Sequence, residues 1–499
     1  MRRLCDATLA SVPAAVPRPR YDRARVKTGV VHLGIGAFFR AEPATYFDDA
    51  LSNGDLAWGI LGASLRSPDT RDALAPQDGL YTLLVRGPAG ARCRVIGALR
   101  GVLVAPEGPD KLLRALADPG VRIVSLTVTE KGYCHDPATG KLDETHPDIR
   151  HDLKDPHAPR SAPGFIVEAL ARRRAAGVAP FTVVSCDNLP ANGRTLHGLL
   201  ARLAELRDRD LGRFVADKVA CPATMLDRIV PATTPADRAE VARALGLEDA
   251  WPVVAEPYSL SVIEDRFPAG RPAFASDEVK LVPDVAPWER MKFRLLNGSH
   301  STLAYLGYLA GYATIADTMT DPAFVALVRG LIDDEVTPTL AVPAGADLAG
   351  YKRSLLERFA NPALKHRTWQ IAMDGSQKLP QRLLDTARAR LKAGAPIDRI
   401  ALAVAAWMRY VTGRDEAGKD IDVRDPLADR LRRLADAAGQ RAEQLAPTLL
   451  AVEEVFGKDL AADPRFARAV TAALDRLLRE GARRAVGQLV AELAAPVGR

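Results

Sequence analysis

Three side chains with complementary chemistry lie close together between Trp288 and His300. Read as an α-helix, at about 100° per residue, this stretch places Lys292, Asn297 and His300 within an arc of about 140°. A lysine that loses its proton near neutral pH is a base, an amide can donate to a developing alkoxide, and an imidazole can orient a hydroxyl. The set therefore predicts chemistry at a carbinol carbon without a metal. The alternative is a surface helix with a few polar residues.

The elements that must position such groups alternate between strands and helices over the first 285 residues. Short apolar runs predict buried strands at 30–33, 58–63, 121–128 and 181–185, and helical patterns lie between them, for example at 111–117 and 165–176. This alternation predicts an α/β fold with a parallel sheet and helices on both faces. Polar clusters follow the first, third and fourth strands, at the sheet edge where ligands bind.

The sequence changes character at 281–287, a segment that carries two prolines. Beyond it strand-like runs nearly vanish and helical periodicity dominates. A chain of 499 residues is also too long for one core, because cores stop growing near ~250–300 residues. We therefore predict a Rossmann-type doubly wound N-terminal domain at 1–285 and a mostly α-helical C-terminal domain at 286–499.

The first predicted strand ends in a Gly-Ile-Gly turn, which is typical of dinucleotide binding. Gly34 permits the tight turn, and Gly36 lets the backbone approach a pyrophosphate at the start of a helix. The usual third glycine is replaced by Phe39. The predicted cofactor contacts in this turn are Gly34, Ile35, Gly36 and Ala37.

An acidic residue after the second strand would bind the ribose hydroxyls of NAD, and Asp69 is the candidate. Arg66 lies nearby and could instead bind the 2′-phosphate of NADP, so we predict NAD and leave NADP open. The alternative for Asp69 is a helix N-terminal charge.

Composition excludes several other classes of protein. The 68 basic and 62 acidic residues are interspersed, so the net charge of +6 predicts no nucleic-acid surface. No run approaches the ~18 apolar residues of a membrane span, and the N-terminal segment is too short and too broken by proline for a signal peptide. Five cysteines without zinc or redox spacing indicate reduced thiols in a cytoplasmic protein.

Six stretches together resemble the mannitol dehydrogenase family, the polyol-specific long-chain dehydrogenases. They are His32–Ala41, Leu126–Tyr133, Ser185–Gly193, Met225–Pro231, Lys292–His300 and Asp374–Pro380. The resemblance extends from about Val30 to about Gly481. It implies a Rossmann-type domain followed by a helical domain, NAD or NADP, and metal-independent interconversion of a secondary alcohol with a ketose or keto-uronate. One departure is Glu42, where family members often have histidine.

The resemblance also implies roles for individual residues. Lys292 matches the general base, and Asn188 and Asn297 match two amides that polarise the carbonyl oxygen. The other implied positions are His300 as a substrate-orienting residue, Glu130 in proton exit, and Asp227 and Lys378 in the substrate cavity. Separately, we predict that the nicotinamide end of the cofactor reaches toward Thr129 and Asn188. Because Asn188 and Asn297 fall in different predicted domains, they can bind one oxygen only if the active site lies between the domains.

Several of these residues have plainer interpretations. Asp187 and Asp227 could pair with arginines, Glu130 could cap a helix, and Lys378 could be a solvated cation beside Pro380.

The segment 361–382 looks most like the fructuronate reductase (D-mannonate oxidoreductase) branch of the family. A uronate carboxylate needs a cationic partner, preferably a forked arginine. The candidates are Arg294, His366, Arg367, Lys378 and Arg382, although all five could be surface charges.

We predict D-mannonate and D-fructuronate as the substrate pair of a monomer or small homo-oligomer. The alternatives are mannitol 2-dehydrogenase or another polyol dehydrogenase acting on arabinitol or sorbitol, a decarboxylating hydroxyacid dehydrogenase, and a non-catalytic nucleotide-binding sensor.

Overall fold

The computed structural model describes residues 1–136, 139–274 and 276–495. The chain divides into two compact units, Met1–Glu289 and Arg290–Arg499. In the described part of the chain, no helix is both long enough and apolar enough to cross a membrane. All five cysteines are free thiols.

The strands belong to the first unit. They are β1 (Thr28–Leu33), β2 (Gly59–Ser64), β3 (Tyr81–Gly87), β4 (Gly90–Ile96), β5 (Leu99–Val104), β6 (Ile123–Leu126), β7 (Thr182–Ser185), β8 (Thr224–Asp227), β9 (Val253–Ala255), β10 (Leu260–Glu264) and β11 (Val279–Val282). The main sheet has the order β5-β2-β1-β6-β7, and all its pairings are parallel. The chain order therefore reverses between β1 and β6, which is the switch point where doubly wound sheets bind dinucleotides. Two smaller sheets have the orders β11-β10-β8 and β4-β3-β9.

Most helices of the first unit pack against the main sheet, whereas the last one packs with β3, β4 and β9. The helices are α1 (Ala37–Ala41), α2 (Pro43–Ser52), α3 (Asp69–Leu74), α4 (Pro109–Ala117), α5 (Thr129–Gly132), α6 (Pro147–Lys154), α7 (Ala162–Ala175), α8 (Asn192–Arg207), α9 (Arg209–Lys218) and α10 (Pro235–Leu245), with short 3₁₀ turns at Leu9–Ser11, Arg23–Arg25, Ala75–Gln77 and Ala105–Glu107.

Neighbouring side chains of β1 enter different cores. Val31 packs into a cluster with Val124 and Val183, whereas Val30 packs into another with Ile60. Successive side chains of a strand point to opposite faces, so the sheet is buried on both sides. The predicted fold class is confirmed, since the four predicted strands are β1, β2, β6 and β7, and the two helical patterns are α4 and α7.

The second unit is helical. After α11 (Ala286–Lys292), which begins in the first unit, its helices are α12 (Gly298–Leu309), α13 (Ile315–Thr318), α14 (Pro322–Gly330), α15 (Leu348–Phe359), α16 (Thr368–Ala372), α17 (Gly375–Leu379), α18 (Asp385–Lys392), α19 (Asp398–Val411), α20 (Ala428–Ala438), α21 (Ala442–Leu450), α22 (Glu453–Ala462), α23 (Pro464–Glu480) and α24 (Ala482–Ala494), with 3₁₀ turns at Thr337–Thr339 and Pro362–Leu364. No strand occurs among the residues described between 290 and 495. Nearly every side chain of α12 and of α19 is buried, which marks them as central helices.

Three π-helical turns interrupt these helices, at Phe293–Asn297, Leu331–Val336 and Pro380–Leu384. The first lies inside the stretch that the sequence predicts as one regular helix. A π-turn, with its i→i+5 bonds, rotates each residue by only about 80°, so Lys292, Asn297 and His300 share an arc of about 60° and not about 140°. The structure therefore corrects the local geometry and brings the three side chains closer to one face.

A glycine lets the first and third π-turns pack against each other. A Cβ on Gly298 would lie 2.6 Å from the main-chain oxygen of Arg382. Only hydrogen fits at this point, because real Cβ atoms do not approach a carbonyl oxygen so closely.

We expect Gly298→Ala to lower the free energy of unfolding by about 1–3 kcal/mol, since the added methyl must displace packed backbone. Urea denaturation measures the change. Gly487→Ala is the control, because a Cβ in that part of α24 meets no atom within 4 Å, and the substitution should raise stability by about 0.5–1 kcal/mol. A Gly298→Ala protein as stable as the parent would contradict the close approach.

Candidate active site

The turn after β1 has the geometry of a phosphate-binding loop. Gly34 has φ +88°, and a Cβ there would overlap the main-chain oxygen of Thr127. Gly36 is the N-cap of α1, and a Cβ on it would meet nothing closer than the Gly34 oxygen at 3.8 Å. The backbone therefore leaves open space at the start of α1, as a bound pyrophosphate requires. Ile35 and Ala37 complete this turn.

Phe39 stands where the usual motif has its third glycine, and the structure shows what its ring does. It stacks on the His32 ring with centroids 3.3 Å apart. His32 also makes hydrogen bonds to Ser125 (2.8 Å) and Thr127 (2.9 Å), and burial lowers its pKa to about 3. A neutral, buried histidine thus joins β1 to β6, and Phe39 seals the space between α1 and the sheet.

Asp69 is the first residue of α3 and accepts a hydrogen bond from the Ser67 hydroxyl at 3.0 Å. It is exposed. Because β2 already ends at Ser64, Arg66 follows the strand more closely than Asp69 does.

Asp187 fixes the loop that carries Thr129 and Glu130. Its carboxylate accepts hydrogen bonds from the Val128 and Thr129 amides at 2.9 and 3.2 Å. It also accepts one from the Tyr133 hydroxyl at 2.8 Å. Desolvation by burial raises the pKa of Asp187 to about 6. In the described part of the chain, the partners of Asp187 are backbone amides and a tyrosine. The expectation that it pairs with an arginine is therefore wrong.

Thr129 itself has φ +60°, a backbone conformation that residues other than glycine rarely adopt. The two hydrogen bonds from the Val128 and Thr129 amides to Asp187 stabilise this strained conformation at the start of α5. Glu130, the next residue of α5, is half-buried. Asn188 is exposed and follows Asp187 at the end of β7. The structure therefore brings the predicted residues after β1, β6 and β7 to one edge of the sheet.

A buried polar cluster surrounds the position that departs from the family pattern. Glu42 accepts hydrogen bonds from Tyr46, Ser259 and Ser261, and Arg228 lies 3.9 Å away. Burial raises the pKa of Glu42 to about 7. Glu42 thus ties α2 to β10 rather than facing the nucleotide turn.

Asp227 is fully buried at the end of β8, opposite Leu260 of β10. Its neighbour Arg228 donates to the main-chain oxygens of Ala41 and Glu256.

Within the second unit, Lys292, Asn297 and His300 are only 3%, 9% and 6% exposed. The alternative of a polar surface helix is therefore wrong. The Asn297 side-chain oxygen is buried and has no hydrogen-bond partner within the described residues. Orphaned buried polar atoms are rare and mark places where a ligand completes the hydrogen bonding.

His300 lies in a compact aromatic and cationic setting. Its ring centroid is 4.8 Å from that of His366, edge to face, and 5.1 Å from that of Phe359. Burial, followed by electrostatic interactions with His366 and Arg382, holds the pKa of His300 well below its usual value. The imidazole is therefore neutral at pH 7 and can both donate and accept a hydrogen bond.

Two predicted substrate residues differ in their surroundings. The Lys378 amine donates to the main-chain oxygen of Met373 at 2.6 Å and lies 3.8 Å from the Asp374 carboxylate. Its side chain is 18% exposed, so the interpretation as a solvated cation is wrong. Arg294 instead donates to the main-chain oxygen and hydroxyl of Thr339, both at 3.1 Å.

One cluster of metal-ligand residue types was not indicated by the spacing of the cysteines in the sequence. Side-chain ligand atoms of Cys134, His146 and Asp148 lie within 4.8 Å of one another in the first unit. Burial raises the pKa of the Cys134 thiol to about 12.

Comparison with known proteins identifies the class. Residues 28–276 match the mannitol dehydrogenase Rossmann domain, and residues 284–478 match the mannitol dehydrogenase C-terminal domain. The chain is 48% identical to the uncharacterized oxidoreductase YeiQ of Escherichia coli, over 96% of this chain and 98% of that protein. It is 46% identical to the D-mannonate oxidoreductase of E. coli, over 97% of this chain and 100% of that protein.

A solved structure agrees over almost the whole chain. The mannitol 2-dehydrogenase of Pseudomonas fluorescens, a ternary complex with NAD and D-mannitol, superposes with a TM-score of 0.92 at 40% identity. The match covers 98% of this chain and 100% of that one. The chain belongs to the mannitol dehydrogenase family. It is an oxidoreductase acting on CH–OH groups, which sets aside the sensor alternative.

The two glycines of the β1 turn should respond differently to substitution. Gly36→Val should weaken NAD(H) binding by at least 10-fold with little change in stability, because its side chain enters open space that the pyrophosphate needs. Gly34→Ala should instead lower the free energy of unfolding by about 1–3 kcal/mol, since it forces a side chain to positive φ. NADH fluorescence titration and thermal unfolding measure the two effects. Unchanged NADH affinity in Gly36→Val would contradict the assignment.

Proposed function

We propose that the protein is an NAD-dependent dehydrogenase that interconverts D-mannonate and D-fructuronate, with Lys292 as the general base and without a catalytic metal. The observation that carries the proposal is the buried set of Lys292, Asn297 and His300 on one face of a bulged helix. The nucleotide turn at Gly34 and Gly36 fits the cofactor, because it leaves space for a pyrophosphate. NADP remains the alternative cofactor through Arg66.

In this proposal each side chain has one task at the carbinol group. The neutral amine of Lys292 takes the hydroxyl proton as the general base. The amides of Asn188 and Asn297 donate to the oxygen as its negative charge develops. Neutral His300 holds a substrate hydroxyl, Glu130 passes the proton to solvent, and Asp227 and Lys378 bind further hydroxyls. Bound NAD supplies the acceptor for the hydride.

The relatives support an acid as substrate over a polyol. The D-mannonate oxidoreductase of E. coli is 46% identical over nearly the full length, compared with 40% for the P. fluorescens mannitol 2-dehydrogenase. The second candidate is a polyol dehydrogenase, which the TM-score of 0.92 to the mannitol complex favours. The free thiols support a location in the reducing cytoplasm.

A substrate panel decides between these functions. D-Mannonate, D-mannitol, D-arabinitol, D-sorbitol and D-altronate are each assayed with NAD and NADP. We expect the highest kcat/KM with D-mannonate and NAD, and no loss of activity after exhaustive chelation. A preference for mannitol would favour the second function.

Lys292→Ala should lower turnover by roughly 10²–10⁴-fold, the usual contribution of a general base, while NADH binding stays largely intact. Turnover of the parent enzyme in the oxidation direction should rise with pH and level off once the amine is neutral. This pH dependence should disappear in the variant, and added primary amines should restore part of the rate. Near-parental oxidation by Lys292→Ala would exclude the lysine as the base.

Asn188→Ala and Asn297→Ala should each lower turnover by about 10²–10³-fold, or ~2.7–4 kcal/mol, which is typical for one donor to an oxyanion. Cofactor binding should change less. Because both amides act on one charge, we expect the double variant to lose less than the sum of the two single losses. Steady-state kinetics of the three variants tests this. Strict additivity would argue that the amides do not serve the same oxygen.

A further inference from the structure

The sequence offers five basic residues as partners for a substrate carboxylate, and the structure distinguishes among them. Arg294 is bound to Thr339 through its guanidinium. Arg367 is exposed on the surface. Burial and the charge of Lys378 lower the pKa of His366 to about 4, so its ring is neutral at pH 7 and brings no charge to an anion.

Lys378 and Arg382 remain, and their charged groups differ in shape. The Lys378 amine already donates to Met373 and lies near the carboxylate of Asp374, which opposes its charge. An ammonium is also a point charge without a preferred direction. The guanidinium of Arg382 presents a planar fork that matches the two oxygens of a carboxylate.

The position of Arg382 is fixed next to the candidate site. The residue lies in the π-turn Pro380–Leu384 and is 9% exposed. One of its terminal nitrogens, Nη1, donates to the hydroxyl of buried Ser301 at 3.1 Å. Ser301 directly follows His300 on α12, and Gly298 of the same helix admits the Arg382 backbone. Both the backbone and the side chain of Arg382 are therefore held against the turn of α12 that carries His300.

The permanent charges that act on His300, those of Arg382, Arg358 and Lys378, have one sign. After burial itself, the groups that depress its pKa are His366, Arg382, Arg358 and Lys378, in that order. Of the two arginines, Arg382 has the stronger effect. Positive potential around a neutral imidazole attracts an anionic group of a ligand.

We propose that the Arg382 guanidinium binds the carboxylate of the sugar-acid substrate and gives the enzyme its preference for acids over neutral polyols. The inference rests on the function proposed above. A carboxylate accepts two parallel N–H···O hydrogen bonds from the guanidinium, and its negative charge attracts the buried cation. A hydroxymethyl group at the same place brings no charge, so a neutral substrate is bound less well.

The test compares D-mannonate with D-mannonamide, which keeps the carbon chain and loses the charge. The preference is the ratio of their kcat/KM values with NAD, measured for the parent enzyme, R382Q, R382K and the control R367Q. We expect R382Q to lower the preference roughly 10- to 150-fold, mainly through the KM for D-mannonate, as for a lost charged hydrogen bond. R382K keeps the charge without the fork and should fall in between, and R367Q should retain the parental preference.

Calorimetric titration of D-mannonate into the enzyme–NADH complex gives a second measurement, in which R382Q should show the same fold loss of affinity. Thermal unfolding reports whether each variant is folded. If R382Q is not folded, the comparison of the parent enzyme with R382K tests the proposal instead. A parental preference in both variants, or loss of the preference in R358Q with R382Q unchanged, would overturn the assignment to Arg382. A parent enzyme that does not oxidise D-mannonate would instead reject the proposed substrate before any variant is made.

Discussion

The candidate site of the second unit depends on a local change in helical pitch. The π-turn Phe293–Asn297 rotates Asn297 and His300 back toward Lys292, and no proline or other covalent cause lies within it. A π-turn exchanges regular i→i+4 bonds for weaker geometry, and such bulges occur most often at functional sites. The cost is borne by a helix that is buried nearly all round, since α12 continues directly from the bulge as a central element of the unit. Burial therefore holds a backbone conformation that the sequence alone would not favour.

How far the sequence predicts the fold depends on whether a feature is periodic or local. The four parallel strands and the Gly34 turn could be predicted because apolar runs and glycine positions report burial and backbone conformation directly. The strand β5 was not recognised, since Gly101 interrupts its apolar run. The π-turn could not be predicted either, because its residues are ordinary helix formers and only the tertiary packing selects the bulge.

The candidate residues show the same division. Lys292 and Asn297 could be selected from residue type and spacing, and the structure shows that both are buried. The role of Asp187 was missed because its partners are backbone amides, which leave no trace in residue identity. Its position next to Asn188, after a strand in a polar Cys-Asp-Asn run, was the signal that could have found it. The replacement of the third motif glycine by Phe39 is likewise explained only by the structure, in which the Phe39 ring stacks on His32.

The second unit buries two arginines that act electrostatically on His300. Arg358 and Arg382 are both less than a tenth exposed, and both act on the neutral ring of His300. Removing arginines from water is costly, and well-packed apolar residues of similar volume often stabilise a protein as much or more. A fold under no other constraint would therefore favour leucine or methionine at such positions. A site that must hold an anion against a reacting carbon has the opposite requirement, because its cations must already be desolvated and oriented before the ligand arrives. Buried arginines held beside His300 meet that requirement, which is why the proposed carboxylate site is consistent with the energetic cost of burying them.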